Sequence, residues 1–419
     1  MSDSFSDLCE RSIGIGAREQ VLLLRAGDVP YVGASVNVAG DERLNFGSCS
    51  YLGLEIREEL KNGVIDAVQK YGTQFPFAKP QLECALYGEL ETALEKLTGG
   101  RVVVASSATL THLAAIPALM STRDAVVMDR LAHASLYMAT TLLKGVALHV
   151  LPHNRMEALA QKVAELSKTH ERVWYIMDGV YSMTGDFAPI ADVAKLLAEF
   201  PKLHVYADDA HCTSWLGRHG RGFTLQELAD KRRVVVTLSL NKAFSAGGAA
   251  LVFHSEELRD RTRYAGAAMM FSGPMQPPML GAAVASAKLH LTDEFTALQV
   301  KLRERIGVVH ALAARHGIKL ATTDKTPIAF IPCGPDRAMY ALFHALARRG
   351  FFVAPAVFPA VPQDRAGLRL TVSLHNSAQD TERLMVTLGE ALHAIPEIVE
   401  HQKRFEVMGA EASQRAATH

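Results

Sequence analysis

The 419-residue chain is predicted to fold as an α/β protein: a mainly parallel central sheet with helices on both faces, followed by a smaller α+β C-terminal domain. Three observations predict it. Short runs rich in Val, Ile and Leu alternate with amphipathic stretches through the middle of the chain. Those runs carry little polar alternation, as strands buried on both faces do. After Phe271 the alternation gives way to long helical segments separated by a few extended runs.

Taken in order, the predicted strands are Arg101–Ala105, Asp124–Met128, Ala147–Leu151, Arg172–Met177, Leu203–Ala207, Arg233–Leu238 and Ala249–Phe253. Between them, Met156–Thr169 and Ile190–Glu199 have the apolar spacing of surface helices. A single long helix is expected from about Pro278 to His316. It leads into Pro327–Pro332, a helix near Arg337–Arg349, the runs Phe351–Ala354 and Leu368–Ser373, and a helix from about Asp380. This divides the chain into an N-terminal segment (1–55), a large α/β domain (56–285), a small domain with its connecting helix (286–400) and a charged, alanine-rich tail (401–419).

Composition narrows the function. Lys+Arg and Asp+Glu are balanced at 44 each, so no net field steers the chain toward nucleic acid or an anionic membrane. No apolar run approaches a membrane span, and the N-terminal MSDSFSDLCERS lacks the apolar core of a signal peptide. Five cysteines (Cys9, Cys49, Cys84, Cys212, Cys333) are scattered without a CxxC pair, which fits reduced thiols rather than a disulfide frame or a zinc site. The pair Asp208–Asp209 has no second oxygen cluster to complete a metal site. A soluble cytoplasmic protein without metal is expected.

In open α/β sheets, ligands gather beyond the carboxyl ends of the strands. Here those ends deliver Ser106–Ser107–Ala108–Thr109, then His133, then Asp178 and Ser182, then Asp208 and His211, then Ser239 and Lys242. Each alone has an ordinary reading: an Asp at a strand end as a helix cap, a lone His as a structural residue, Ser106–Ser107 as a plain cap, a Lys as a solvated terminus. His112, His153, His204, His219 and His375 are read as structural. Together, the polar strand ends describe the needs of an aldehyde cofactor with a basic ring nitrogen and a phosphate. Lys242 supplies the amine for a Schiff base. Asp208 secures the proton on a pyridine nitrogen, which an electron sink requires. His211 and Ser182 suit a phenolic oxygen, and His133 suits the ring face. A helix N-terminus at Ala108 and Thr109, with Ser239, suits the phosphate.

The same residues carry a family resemblance over about Leu44 to Leu392. NFGSCSYLGL, LYGELETALEKLTG, DRLAHAS, DGVYSMTGDFAPI, YADDAHCTSWLGRHGRG, SLNKAF, FSGPMQPPMLGAA and LRLTVSLHNSAQD stand in order. The chain resembles the α-oxoamine synthases, pyridoxal-phosphate (PLP) enzymes of the aspartate-aminotransferase fold (fold type I). The resemblance implies the roles given above for Lys242, Asp208, His211, Ser182, His133, Ala108, Thr109 and Ser239. It adds Ser272, reaching the phosphate from a partner subunit, and Arg369 as the ligand of the amino-acid carboxylate, with Cys49 nearby. It implies a homodimer with the active site at the interface. It also implies decarboxylative condensation of an amino acid with an acyl thioester, on CoA or a carrier protein, giving an α-amino ketone, CO2 and free thiol.

The chain departs from the family pattern at Cys49 and Ser50 (family Asn and Asp), Tyr87 (His), Ala108–Thr109 (Gly–aromatic), His112 (Asn) and Ser214 (Gly), and the family's GSR arginine has no counterpart in GTQFPFAKP. These changes imply a specialised member with unusual substrates. Two other functions compete with this reading. One is a fold type I aminotransferase or carbon–carbon lyase, which needs no acyl donor. The other is a non-catalytic subunit, against which the presence of Lys242, Asp208 and His211 argues.

Overall fold

The computed structural model describes residues 4–403, so the tail expected over 401–419 lies outside the described residues from position 404 onward. Its strands are β1 (Ser35–Val38), β2 (Asp41–Asn45), β3 (Arg101–Ala105), β4 (Asp124–Asp129), β5 (Ala147–Leu151), β6 (Arg172–Asp178) and β7 (Leu203–Asp208). They continue with β8 (Val234–Ser239), β9 (Ala249–Phe253), β10 (Ile328–Gly334), β11 (Phe351–Phe352), β12 (Ala354–Ala356) and β13 (Ala366–Thr371). The chain divides into two compact units. One comprises Leu52–Ser182 and Phe187–Val300; the other comprises the segments up to Tyr51, Met183–Asp186 and from Lys301 on.

The first unit holds a seven-stranded sheet in the order β3-β9-β8-β7-β6-β4-β5. Its pairs are parallel except where β9 meets β3 and β8. Alternate residues feed two separate apolar layers. Val102, Val127, Tyr175 and Val205 pack with the helices Ala85–Thr98, Met156–Leu166 and Ile190–Glu199. Val103, Val126, Trp174 and Tyr206 pack with Ala108–Leu119 and Ala134–Thr140. A sheet covered on both faces explains the near-continuous apolar runs of its strands. The exception is β5, whose side chains alternate between half-buried and exposed because it is the sheet's edge, with Leu148 and Val150 open to solvent.

Several expected boundaries change. β4, β6, β7 and β8 each run one residue further than their apolar runs, so Asp129, Asp178, Asp208 and Ser239 are the last residues in ladder register or just beyond it. The single helix expected over Pro278–His316 is two, Pro277–His290 and Asp293–Arg315. Thr292 interrupts it, its hydroxyl accepting the Phe295 N–H at 3.3 Å as an N-cap does.

At the opposite strand ends, Asp124 and Arg172 are register partners of β4 and β6. The guanidinium donates to both carboxylate oxygens, at 2.9 and 3.0 Å, and Asp124 is fully buried. Burial pushes the Asp124 carboxyl up, but Arg172 and Ser121 together pull it below the usual range. A depressed folded pKa contributes stability that is full above the ordinary carboxylate range and is lost as pH falls through the folded value. Asp124→Ala is expected to lower unfolding free energy by about 3 kcal/mol, because it strands the arginine. Denaturant unfolding at neutral pH checks this, and the difference from wild type should shrink as pH falls below the ordinary carboxylate range. A midpoint unchanged at neutral pH would remove the pair from the stability of the sheet.

In the second unit, β13 pairs antiparallel with β10 and β12, and β2 pairs with β1 and β11. Ser377 and Asp380 form a capping box that starts the helix Ala378–His393.

Candidate active site

The carboxyl ends of β4, β6, β7 and β8 open on a cavity of about 160 Å³ in the first unit. A second cavity, of about 10 Å³, holds a water at most. It is bounded by Lys79, which donates to the Val104 carbonyl at 2.8 Å and lies 4.3 Å over the Tyr87 ring, and by Tyr87, whose oxygen accepts the Met275 N–H at 2.6 Å. Tyr87 is thus a packing residue in the first turn of the helix Ala85–Thr98.

Parallel register builds the larger site. Asp208 pairs with Asp178 on one side and with Thr237 on the other, so two carboxylates stand side by side at the sheet edge. Asp208, 5% exposed, accepts the Ala210 N–H at Oδ1 (2.9 Å) and faces His112 Nε2 at Oδ2 (3.0 Å). Burial alone would push its carboxyl up, but His112, Lys242 and His133 hold it well below the ordinary range. Asp178 accepts the His133 N–H at 3.1 Å, and burial beside Asp208 pushes its carboxyl well up. Neighbouring carboxylates with opposed shifts are a familiar arrangement: one carries the charge and the other stays protonated.

Past β8 the chain turns so that Lys242 Nζ comes within 2.9 Å of His211 Nε2. Ser239, also in the cavity wall, bonds through its hydroxyl to the Asn241 side chain. His133 caps the helix Ala134–Thr140. Its Nδ1 accepts the Ser135 N–H, which leaves the ring proton on Nε2, and burial pushes its pKa down toward a neutral imidazole. Ser107 caps the helix Ala108–Leu119 by accepting the Leu110 N–H at 3.2 Å. The N–H groups of Ala108 and Thr109, in that helix's first turn, have no intrahelical acceptor and present partial positive charge to the cavity.

Of the site residues read from the sequence, Lys242, Asp208, His211, His133, Ala108, Thr109 and Ser239 line this one cavity. Ser182 does not; at that turn Val180 lines it instead. Ser272 is also outside the lining, and its hydroxyl is buried without a hydrogen-bond partner. Arg369 and Cys49 belong to the other unit and meet there. Arg369 is 5% exposed, with one guanidinium nitrogen 3.7 Å from Cys49 Sγ and another donating to the Tyr51 hydroxyl at 3.3 Å.

His112, read as structural, is fully buried and is the hydrogen-bond partner of Asp208. It sits in an apolar helix, where a histidine resembles core filling, and its partner lies 96 residues away. The usable signal was Tyr206 and Asp208 at i and i+2 on one strand, both turned toward the helix that follows Ser107. Ser214, standing where the resembling family has glycine, keeps a left-handed backbone (φ 76°) and is held through its hydroxyl by His290 Nε2 at 2.9 Å. Among the described residues no group of His, Cys, Asp and Glu forms a metal site, and no helix is long and apolar enough to cross a membrane.

An amine, a buried ionised carboxylate and a helix N-terminus in one cavity form a donor set that fits PLP: aldehyde, ring nitrogen and phosphate each find a chemical partner.

Comparison with known proteins points the same way. The family model for aminotransferase class I and II matches residues 43–386. An 8-amino-7-oxononanoate synthase of Dechloromonas aromatica is 32% identical over 386 residues, covering 90% of this chain and 96% of the relative. A serine palmitoyltransferase of Bacteriovorax stolpii is 27% identical over 367 residues, covering 85% of this chain and 84% of the relative. Among solved structures, the Sphingomonas wittichii serine palmitoyltransferase superposes with a TM-score of 0.86 at 21% identity, over 95% of this chain and all of that one. A variant of the S. paucimobilis serine palmitoyltransferase, solved with a bound PLP–myriocin aldimine, gives 0.84 at 20% identity, over 94% of this chain and all of that one. At such identities the superpositions establish the fold.

Proposed function

The chain belongs to the aminotransferase class I and II family, and on that premise we propose that it is a PLP-dependent acyltransferase of the α-oxoamine synthase type. It joins an amino acid to an acyl thioester. One carbon–carbon bond forms at the α-carbon, the thioester C–S bond breaks, the carboxyl leaves as CO2, and one proton is taken up to give an α-amino ketone and a free thiol. The observation that carries the reading is Lys242 Nζ at 2.9 Å from His211 in the cavity that also holds buried, ionised Asp208.

When bound, the cofactor supplies an aldehyde for amines and a ring that accepts an electron pair. The chain's own residues do the rest. Lys242 Nζ removes the proton from the amino acid's α-carbon and returns a proton there later. Asp208 keeps the ring nitrogen protonated. His211 and Ser182 are assigned to the phenolic oxygen and His133 to the ring face. The Ala108 and Thr109 N–H groups and the Ser239 hydroxyl bind the phosphate, with Ser272 contributed by a partner subunit. Arg369 binds the substrate carboxylate as a planar fork, and Cys49 beside it bears on which amino acid fits. We further propose a cytoplasmic homodimer with its active sites at the interface.

The test is to incubate the PLP-loaded protein with a panel of acyl-CoAs and each amino acid while following free thiol. Thiol release that requires one particular amino acid is expected, and the responding pair names both substrates. If no acyl-CoA responds, the same panel is run with acyl carrier proteins. Amino-group transfer to a keto acid with no thiol release from either donor would replace this reading with the aminotransferase one.

A further inference from the structure

A buried chain of hydrogen bonds runs behind the cavity. His112 Nε2 lies 3.0 Å from Asp208 Oδ2, His112 Nδ1 lies 3.0 Å from the Tyr206 hydroxyl, and that hydroxyl lies 3.1 Å from Thr237 Oγ1. His112, Tyr206 and Thr237 are all fully buried. Low local dielectric strengthens such a chain and makes any broken member costly.

The directions of its bonds follow from its end. An ionised Asp208 only accepts, so His112 Nε2 carries a proton and donates. Nδ1 then accepts from the Tyr206 O–H, and the Tyr206 oxygen accepts from the Thr237 O–H. Every member is satisfied with each proton on its own atom, and no transfer is needed.

The neighbouring carboxylate lacks this support. Asp178 is the register partner of Asp208 and is equally buried, yet it receives a backbone N–H from His133 instead of an imidazole. Two adjacent buried carboxylates do not both ionise readily, so something must decide which one does. Lys242 and His133 line the cavity and bear on both aspartates, Asp129 bears on Asp178, and Asp209 faces away to the Thr224 N–H and hydroxyl. His112 is the hydrogen-bond donor that favours Asp208, while the nearby Asp129 disfavours charge on Asp178.

Resting on the reading that PLP occupies this cavity, we propose that His112 is a positioning residue that selects Asp208, rather than Asp178, as the anion facing the cofactor's ring nitrogen. Tyr206 and Thr237 fix the ring tautomer that this requires. The opposed protonation preferences of the two aspartates agree with it.

The test uses the full-length protein loaded with PLP carrying 15N in its ring, followed by 15N NMR across pH. In wild type the ring-nitrogen resonance is expected at the protonated position at neutral pH. In His112→Leu, which keeps bulk and removes the donor, it should move toward the unprotonated position. His112→Gln, which restores an N–H near the place of Nε2, should bring it back. Tyr206→Phe should lower the midpoint of ring-nitrogen deprotonation by about half a pH unit, the share of one lost hydrogen bond. A wild-type resonance in His112→Leu overturns the proposal, as does a His112→Gln resonance displaced as far as that of His112→Leu. If His112→Leu does not accumulate folded, an unchanged midpoint in Tyr206→Phe overturns it. A wild-type protein that takes up no labelled cofactor would instead defeat the functional reading on which the proposal rests.

Discussion

Lys242→Ala should lower turnover, measured as thiol release with the responding substrate pair, by about 10³-fold or more. The magnitude follows from the two jobs that one amine is given. Among the described residues Lys242 is the only lysine lining the cavity, so it is the group proposed both to condense with the cofactor's aldehyde and to act as base toward the α-carbon. Alanine abolishes both. The fold should persist, because Lys242 is half-buried in a cavity wall and is not packed in the apolar layers of the sheet. Far-UV circular dichroism and the unfolding midpoint should therefore stay near wild type. Borohydride treatment of the PLP-loaded wild type should fix a pyridoxyl group on the peptide containing Lys242, and the variant should show no such mass. A variant rate within tenfold of wild type would take Lys242 out of the chemistry, whatever the fold.

That this lysine is legible in the sequence has a physical reason. A parallel sheet delivers every strand's last residue to one edge, so polar residues ending separate apolar runs meet in space although up to 109 residues separate the Lys242 and His133 positions along the chain. Lys242, Asp208, His211, His133 and Ser239 were legible for that reason. Strand ends were read one residue short because a terminal Asp or Ser looks like a turn, whereas here it still holds ladder register, as Asp178 and Asp208 do. The edge position of β5 left no mark, since its apolar composition matches that of the buried strands. Thr292 stopped a helix whose apolar pattern continues past it, a capping event that periodicity does not register. His112 was missed because its meaning lies in a partner on another element. The meeting of Arg369 with Cys49 and Tyr51 bridges about three hundred residues, so only the family resemblance, not periodicity, brought Arg369 and Cys49 together.

Asp208→Asn isolates the electron-sink role from mere cofactor retention. The substitution keeps shape and one acceptor oxygen, for either His112 or Ala210, while the negative charge and the second acceptor are replaced by an NH2 donor. Cofactor affinity should fall by about tenfold, the scale of one charge-assisted hydrogen bond, because Lys242, His133 and the first turn of the helix Ala108–Leu119 remain. Turnover at saturating cofactor should fall much further, by about 10²–10³-fold, the cost of removing a preorganised charge from where the electron pair must be stabilised. The two numbers are measured separately, by cofactor titration and by thiol release, and their ratio is the informative quantity. Equal losses would mean that Asp208 only helps to hold the cofactor. The pH dependence gives an independent check. Asp208 is held below the ordinary carboxylate range, so in wild type it stays ionised down to acid values where free carboxylates protonate. A loss of wild-type activity on acidification above about pH 4 therefore belongs to another group, and the same limb should persist in the residual activity of Asp208→Asn. If that limb vanished with the aspartate, Asp208 would be titrating during turnover, and an anion held fixed by His112, Lys242 and His133 would be the wrong description of the site.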